Sequence, residues 1–323
     1  MAASRNSLRI SLPTRVAAFL ATRTTPGENI CVGLSGGCDS VVLLHVLANL
    51  DLGGRLRAAH VHHGLSENAD RWAAFCADYC RRLGVDLLVE RVEVERDSGL
   101  GLEAAAREAR YRVFSRSEGE LLLLGHHRGD QAETLLFNLL RGAGVAGAAG
   151  IPVERREHRL RILRPLLDVP RDEIETYARH HRVDWVDDES NRDTGLSRNF
   201  LRHEVLTALT ARFPAAEQNL AQAAGRFAEA DALLGELGLV DWQAAADGDA
   251  LKLAKLRELS LPRLKNLLRC RLRQLGWRAP AAVRLEEFAR QLQTAGADRH
   301  PALDLAEGSM IAGRGLLRWV ARR

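Results

Sequence analysis

The chain has 323 residues, 46% hydrophobic and 27% charged, long enough for two cores and too apolar for a disordered or fibrous class. Its formal net charge is only +4, but nearly all the positive charge is arginine, which suits bidentate contacts to phosphate and makes nucleic acid an expected partner. Five cysteines without a C-x-x-C pair argue against a disulfide framework, and no apolar run approaches the roughly 18 residues of a membrane span, so a cytoplasmic protein off the membrane is expected.

In chain order, Val16 to Ala21 is an apolar run too short for a signal-peptide core. Short apolar runs then recur at Ile30 to Leu34, Leu56 to Val61, Val85 to Val94, Leu121 to Leu124 and Leu160 to Leu167. Between them, Ser40 to Leu50, Ala69 to Leu83 and Leu102 to Ser117 space apolar residues by three and four, as crossover helices do. This rhythm predicts an α/β doubly wound parallel sheet. After Phe213-Pro214 the pattern becomes helical, over Ala215 to Leu239 and Leu251 to Leu275, so residues 1–214 and 215–323 are expected to form separate domains, the second smaller and mainly helical. Glycines between apolar pairs from Ala302 to Val320 suggest a terminal hairpin.

The chemistry concentrates behind the strands. Ser35-Gly36-Gly37-Cys38-Asp39-Ser40 joins the first strand to a helix N-terminus, where glycines let the backbone approach a ligand and free amides and hydroxyls form a nest for pyrophosphate. A turn with a simple helix cap is the alternative. Neither a G-x-x-x-x-G-K-[ST] nor a G-x-G-x-x-G motif is present. His60-Val61-His62-His63-Gly64-Leu65-Ser66 follows the second strand, Gly125-His126-His127-Arg128-Gly129-Asp130-Gln131-Ala132-Glu133 the fourth. Asp130 and Glu133 have capping-box spacing, yet Asp130 would also stand where it could join Asp39 around a Mg²⁺ ion. Arg107 and Arg110 share one helix face, as do Arg198 and Arg202.

The serine-glycine-glycine-x-aspartate-serine string resembles the loop of the PP-loop ATP pyrophosphatases. The downstream motifs, with Arg164-Pro165-Leu166-Leu167, Trp185 to Asn191 and Arg198-Asn199-Phe200-Leu201-Arg202, are similar in order and sequence to tRNA(Ile)-lysidine synthetases. That resemblance covers about Ile30 to Pro214 and continues more faintly to Val320, without the further C-terminal domain of longer members. It departs at Gly129, where the family commonly carries an aspartate before Asp130.

The resemblance implies ATP-dependent ligation of L-lysine to the wobble cytidine of an isoleucine tRNA through an adenylated base. It places ATP on Ser35, Gly36, Gly37, Cys38, Asp39, Ser40 and His60, Mg²⁺ on Asp39 and Asp130, phosphate charge on Arg110, and the lysine amine near Glu133. For tRNA the expected contacts are Arg198 and Arg202, together with Lys265, Arg269 and Arg273 on one stripe of a basic helix, opposite a seam of Leu261, Leu264, Leu268 and Leu275. Arg155, Arg156, Arg159, Arg161 and Arg164 form a second basic cluster, and a solvated basic face is an equal reading of both. A PP-loop tRNA thiolase and a non-catalytic RNA-binding relative remain open, as does a homodimer.

Overall fold

The computed structural model describes residues 10–52, 55–64, 66–93, 102–114, 121–157, 160–187, 189, 195, 197–296 and 299–322. Of the positions named above, Val94, Gly101, Ser115 to Ser117, Leu65, Arg159, Asp188, Ser190 and Asn191 lie outside that set, as do the side chains of Glu103 and Arg107.

The chain divides into Met1–Ala228 and Glu229–Arg323. In the first unit, strands β1 (Ile30–Gly33), β2 (Leu56–His62), β3 (Asp86–Arg91), β4 (Leu121–Leu123), β5 (Glu154–Glu157) and β6 (Leu160–Leu163) form one sheet in the order β3-β2-β1-β4-β6-β5. All neighbours run parallel except β5, an antiparallel edge strand that its polar sequence Glu-Arg-Arg-Glu hid from the sequence reading. Period-two alternation sends Ile30, Val32, Leu121, Leu123 and Leu163 into one core, and Cys31, Leu122, Leu124 and Ile162 into another. One face is covered by α1 (Leu12–Ala21), α2 (Cys38–Ala48), α3 (Ala69–Leu83) and α7 (Arg171–His180); the other by α4 (Leu102–Phe114) through Val113 and Phe114. The apolar run from Val16 thus belongs to a helix, capped by Ser11 and burying Leu12, Val16 and Leu20. The central strands β1, β4 and β6, buried on both faces, read as continuous apolar runs.

Chain order reverses at β1, whose neighbours are β2 and β4. The carboxyl ends of β1 and β4 therefore diverge into loops on either side of a crevice, where doubly wound sheets bind ligands. Behind it lie α5 (Arg128–Leu140) and the short α6 (Val145–Ala148); Leu135 and Ala148 pack on Ala224 of the long α10 (Ala216–Ala245). A further helical segment comprises α8 (Ser197–Phe200), a π turn over Leu201–Val205 and α9 (Leu206–Arg212).

Glu229–Arg323 is less helical than its sequence suggests. The expected hairpin is part of a five-stranded antiparallel sheet, β7 (Ala246–Asp247), β8 (Ala250–Lys252), β11 (Leu316–Ala321), β10 (Gly308–Gly313) and β9 (Ala302–Asp304) in spatial order. Three of these strands have only two or three residues, too few for a period to show. Against the sheet lie α11 (Leu253–Glu258), α12 (Leu261–Gln274) and α13 (Ala282–Thr294), with Leu268, Leu285, Phe288, Met310 and Leu317 in one core. The buried seam of α12 is Leu264, Leu267, Leu268 and Leu272, so Leu275, included in the expected seam, is replaced by Leu272. No helix among the described residues is long and apolar enough to cross a membrane.

Candidate active site

The glycine loop is braced from within. The Ser35 amide donates to Ser40 Oγ (3.1 Å), the Gly37 amide to Ser35 Oγ (3.2 Å) and Ser40 Oγ to the Gly37 carbonyl (3.0 Å). The two hydroxyls are 3.0 Å apart; since Ser40 already uses its proton, Ser35 is the donor between them. The hydroxyls expected to face phosphate therefore shape the loop. Gly36 has φ +90°, a left-handed conformation that disfavours a side chain, and its carbonyl accepts from the Val186 amide at 2.9 Å. Cys38 is buried in the core with its thiol pushed up to about 12, first by burial and then by Asp39, so its side chain is packing.

A cleft of about 510 Å³ opens at this loop, lined also by His60, His63, Trp72, Arg110, His126 and Asp130. Its histidines diverge in role. His60 is buried and its Nδ1–H donates to the Leu34 carbonyl (2.8 Å), pinning the end of β1; burial holds its pKa below the usual imidazole value. His62 Nε2 lies 3.1 Å from Asp70, while His63 is lowered to about 4 by burial and then by Arg110, so it is neutral near pH 7. Among the described residues no group of three or more histidine, cysteine or carboxylate side chains is arranged to hold a metal ion.

Two carboxylates meet at His127. Asp130 does cap α5: its Oδ2 accepts from the His127 amide (2.9 Å), and His127 Nδ1 accepts from the Gly129 amide (3.0 Å). With Nδ1 an acceptor, the proton sits on Nε2, 3.9 Å from Asp39 Oδ2 and 3.8 Å from Asp130 Oδ2. Glycine at 129 permits this arrangement, because a Cβ there would lie 2.8 Å from His127 Cε1.

The carboxylates are pushed apart electrostatically. Burial outweighs His127 and Arg171 at Asp39 and raises its pKa; its Oδ1 is a buried acceptor with no hydrogen-bond partner. At Asp130 burial is opposed and overcome by His127, His126, the His127 amide and Arg202, and the pKa falls. Glu133, only 2% exposed and expected at the cap, instead pairs with Arg202, whose Nε and Nη2 lie 3.0 and 2.8 Å from Oε2 while Nη2 reaches Asp130 Oδ1 at 3.2 Å. Burial, then Asp130, raises Glu133 against the arginines. Arg198 Nη1 stands 3.8 Å from Glu133 Oε1. The pair Arg198 and Arg202, read from sequence as tRNA contacts, is thus brought onto the site's own carboxylates, and the π turn holding Arg202 is a distortion frequent at functional sites.

Arg171, not among the residues expected at the site, sets its Nη1 3.3 Å from Asp39 Oδ2. A cation in the first turn of a helix opposes the macrodipole, and that was the signal available at the start of α7. His127 was not among the expected residues either. Arg164, counted in a basic cluster, is buried at 1% exposure and donates to the Pro152 carbonyl at 2.6 Å, while Arg161 pairs with Glu154 at 2.8 Å, so neither is presented as an unpaired surface cation. On α12, Lys265 pairs with Glu286 (2.8 Å) and Arg273 with Asp231 (2.9 Å), leaving Arg269 exposed.

The PP-loop domain model matches residues 9–209 and the TilS substrate binding domain model residues 251–323. The tRNA(Ile)-lysidine synthase of Pseudomonas aeruginosa is 44% identical over 90% of this chain and 68% of its own length. The chain belongs to the tRNA(Ile)-lysidine synthase family. Family members from Aromatoleum aromaticum and Alkalilimnicola ehrlichii are 49% and 46% identical over 85% and 88% of this chain; the chain spans 65% of the length of each. The fold is shared with the U34-tRNA thiolase NcsA from Methanococcus maripaludis, at a TM-score of 0.57 and 18% identity, covering 68% of this chain and 78% of that one.

Proposed function

We propose that the protein joins L-lysine to the wobble cytidine of the CAU-anticodon isoleucine tRNA, forming a carbon–nitrogen bond at the expense of ATP, with residues 1–214 carrying the chemistry and 215–323 recognising the tRNA. The observation that carries this reading is the convergence of Asp39 and Asp130, from two different strand ends, on one imidazole beside the glycine loop of a tRNA(Ile)-lysidine synthase relative.

In this reading the amides of the first turn of α2, held in place by the braced loop, bind the pyrophosphate of ATP, and Arg110, which lines the cleft, balances its charge. The donor set fits Mg²⁺: Asp39 offers an unpartnered buried oxygen, Asp130 retains lone pairs beyond its two hydrogen bonds, and water and phosphate oxygens complete such sites. Bound there, the ion would neutralise phosphate charge. The cytosine 2-carbonyl oxygen attacks the α-phosphorus and releases pyrophosphate; the lysine ε-amine then attacks the activated carbon and releases AMP. Glu133, raised by burial, is the group suited to accept the ammonium proton, and Arg202 holds it in place. Sulfur transfer is disfavoured because Cys38, Cys76 and Cys80 are buried thiols raised to about 12, 12 and 11.

The test is pyrophosphate release with ATP, lysine and an isoleucine tRNA transcript. Release that requires this tRNA and continues past one equivalent only with lysine, with labelled lysine entering the RNA, is expected; tRNA-independent release, or no labelled lysine in the RNA, would refute the assignment.

A further inference from the structure

Glu229–Arg323 has a cleft of its own, about 380 Å³, lined by residues of α11, α13, the segment before β9 and the β10–β11 turn. Arg257, Arg299, Arg314 and His300 line it, and its described lining includes no carboxylate and no aromatic ring besides His300. Three observations make it more than a solvated basic patch.

The first is anchoring. Arg257 Nη2 donates to the Ala295 carbonyl at 2.7 Å and Nε to the Leu292 carbonyl at 3.5 Å, so its guanidinium is fixed at the end of α13 with donors to spare. The second is strain. Arg314 has φ +51° and Gly315 φ +77°, the two-residue hairpin turn in which asparagine, aspartate or glycine is favoured at the first position. An arginine held there, with the turn tied down by the Leu253 amide on the Gly315 carbonyl at 2.9 Å, keeps a disfavoured backbone and presents a cation at the rim. The third is contrast. Lys265 and Arg273 of α12 are neutralised by Glu286 and Asp231, whereas Arg257, Arg299 and Arg314 make no ion pair among the described residues.

Guanidinium groups with no acid among the described lining residues call for an anion, and with His300 the one aromatic ring of that lining, phosphate rather than a base is the main contact. We propose that this cleft grips a phosphodiester of the tRNA backbone, and that Arg257, Arg299 and Arg314, rather than the ion-paired Lys265 and Arg273 of α12, supply the main electrostatic contact of this unit. The proposal rests on the tRNA reading above.

The test uses the full chain with Arg299→Ala/Arg314→Asn, asparagine being at home in the turn, and Arg299→Ala alone in case the double variant folds poorly. Binding of the isoleucine tRNA transcript is measured across a salt series. About tenfold weaker binding in the double variant, a slope of log affinity against log salt shallower by about one for each phosphate no longer held, and unchanged ATP affinity are expected. Lys265→Ala/Arg273→Ala should leave the slope within error. A slope unchanged in both cleft variants, with circular dichroism intact, overturns the proposal. So does a melting shift by inorganic phosphate that the variant abolishes without altering the tRNA slope, which would mark a free-anion site. Intact lysidine formation with an unchanged slope sinks this inference alone; a changed slope in a protein that makes no lysidine sinks the reaction and leaves the grip standing.

Discussion

Asp39 combines a raised pKa with an unpartnered buried oxygen, so its ionised form is held in the folded state at a cost that a ligand can relieve. Because the folded pKa lies above the ordinary value of 3.8, this group's contribution to stability falls as pH rises from there through the folded value. Asp39→Asn is therefore expected to stabilise the protein by roughly 1 kcal/mol at neutral pH, to lose that advantage below the ordinary carboxylate range, and to abolish ATP turnover. Thermal unfolding as a function of pH, beside pyrophosphate release, checks both halves; a variant less stable than the parent at pH 7 would show that the Arg171 pair outweighs desolvation. Aspartate 39 itself was legible from the loop motif. Its partners Arg171 and His127 were not, because Arg171 is 132 residues away in the chain and His127 follows β4, which only the sheet topology sets beside β1.

At the scale of elements, the start of α5 turns on a glycine that looks like a defect in the motif. Gly129 leaves room for the His127 ring to fold back, accept the Gly129 amide and set its Nε2 proton between Asp39 and Asp130. Gly129→Ala, which fits a helix interior by propensity, should nevertheless displace the imidazole; turnover is expected to fall tenfold or more while stability changes by less than about 1 kcal/mol, the propensity gain offsetting the weakened cap. Parallel measurement of turnover and thermal midpoint decides it, and unaltered turnover would remove His127 from the site. The capping box was visible as a spacing, but which side chains closed it was not: sequence paired Asp130 with Glu133, and the structure pairs Asp130 with His127 and sends Glu133 inward to Arg202.

At the scale of the whole molecule, the main cores of the two units share no residue, so damage to one should be separable from function in the other. Leu268→Ala, at a position with 0% exposure, is expected to destabilise Glu229–Arg323 by about 2–5 kcal/mol and to lower its hydrogen-exchange protection, while nucleotide affinity in Met1–Ala228 is retained. Loss of ATP binding in the still-folded variant would contradict that independence. The doubly wound sheet could be read from sequence because burial on both faces leaves long apolar runs with helical spacings between them, and the glycine loop because its backbone demands are local. Tertiary structure alone decided which charges are paired within the protein. Arg164 went to the core, Arg198 and Arg202 to carboxylates, Lys265 and Arg273 to ion pairs, and Arg314 into a strained turn at a cleft, since a charge in sequence carries no record of the partner that folding brings within about 4 Å of it.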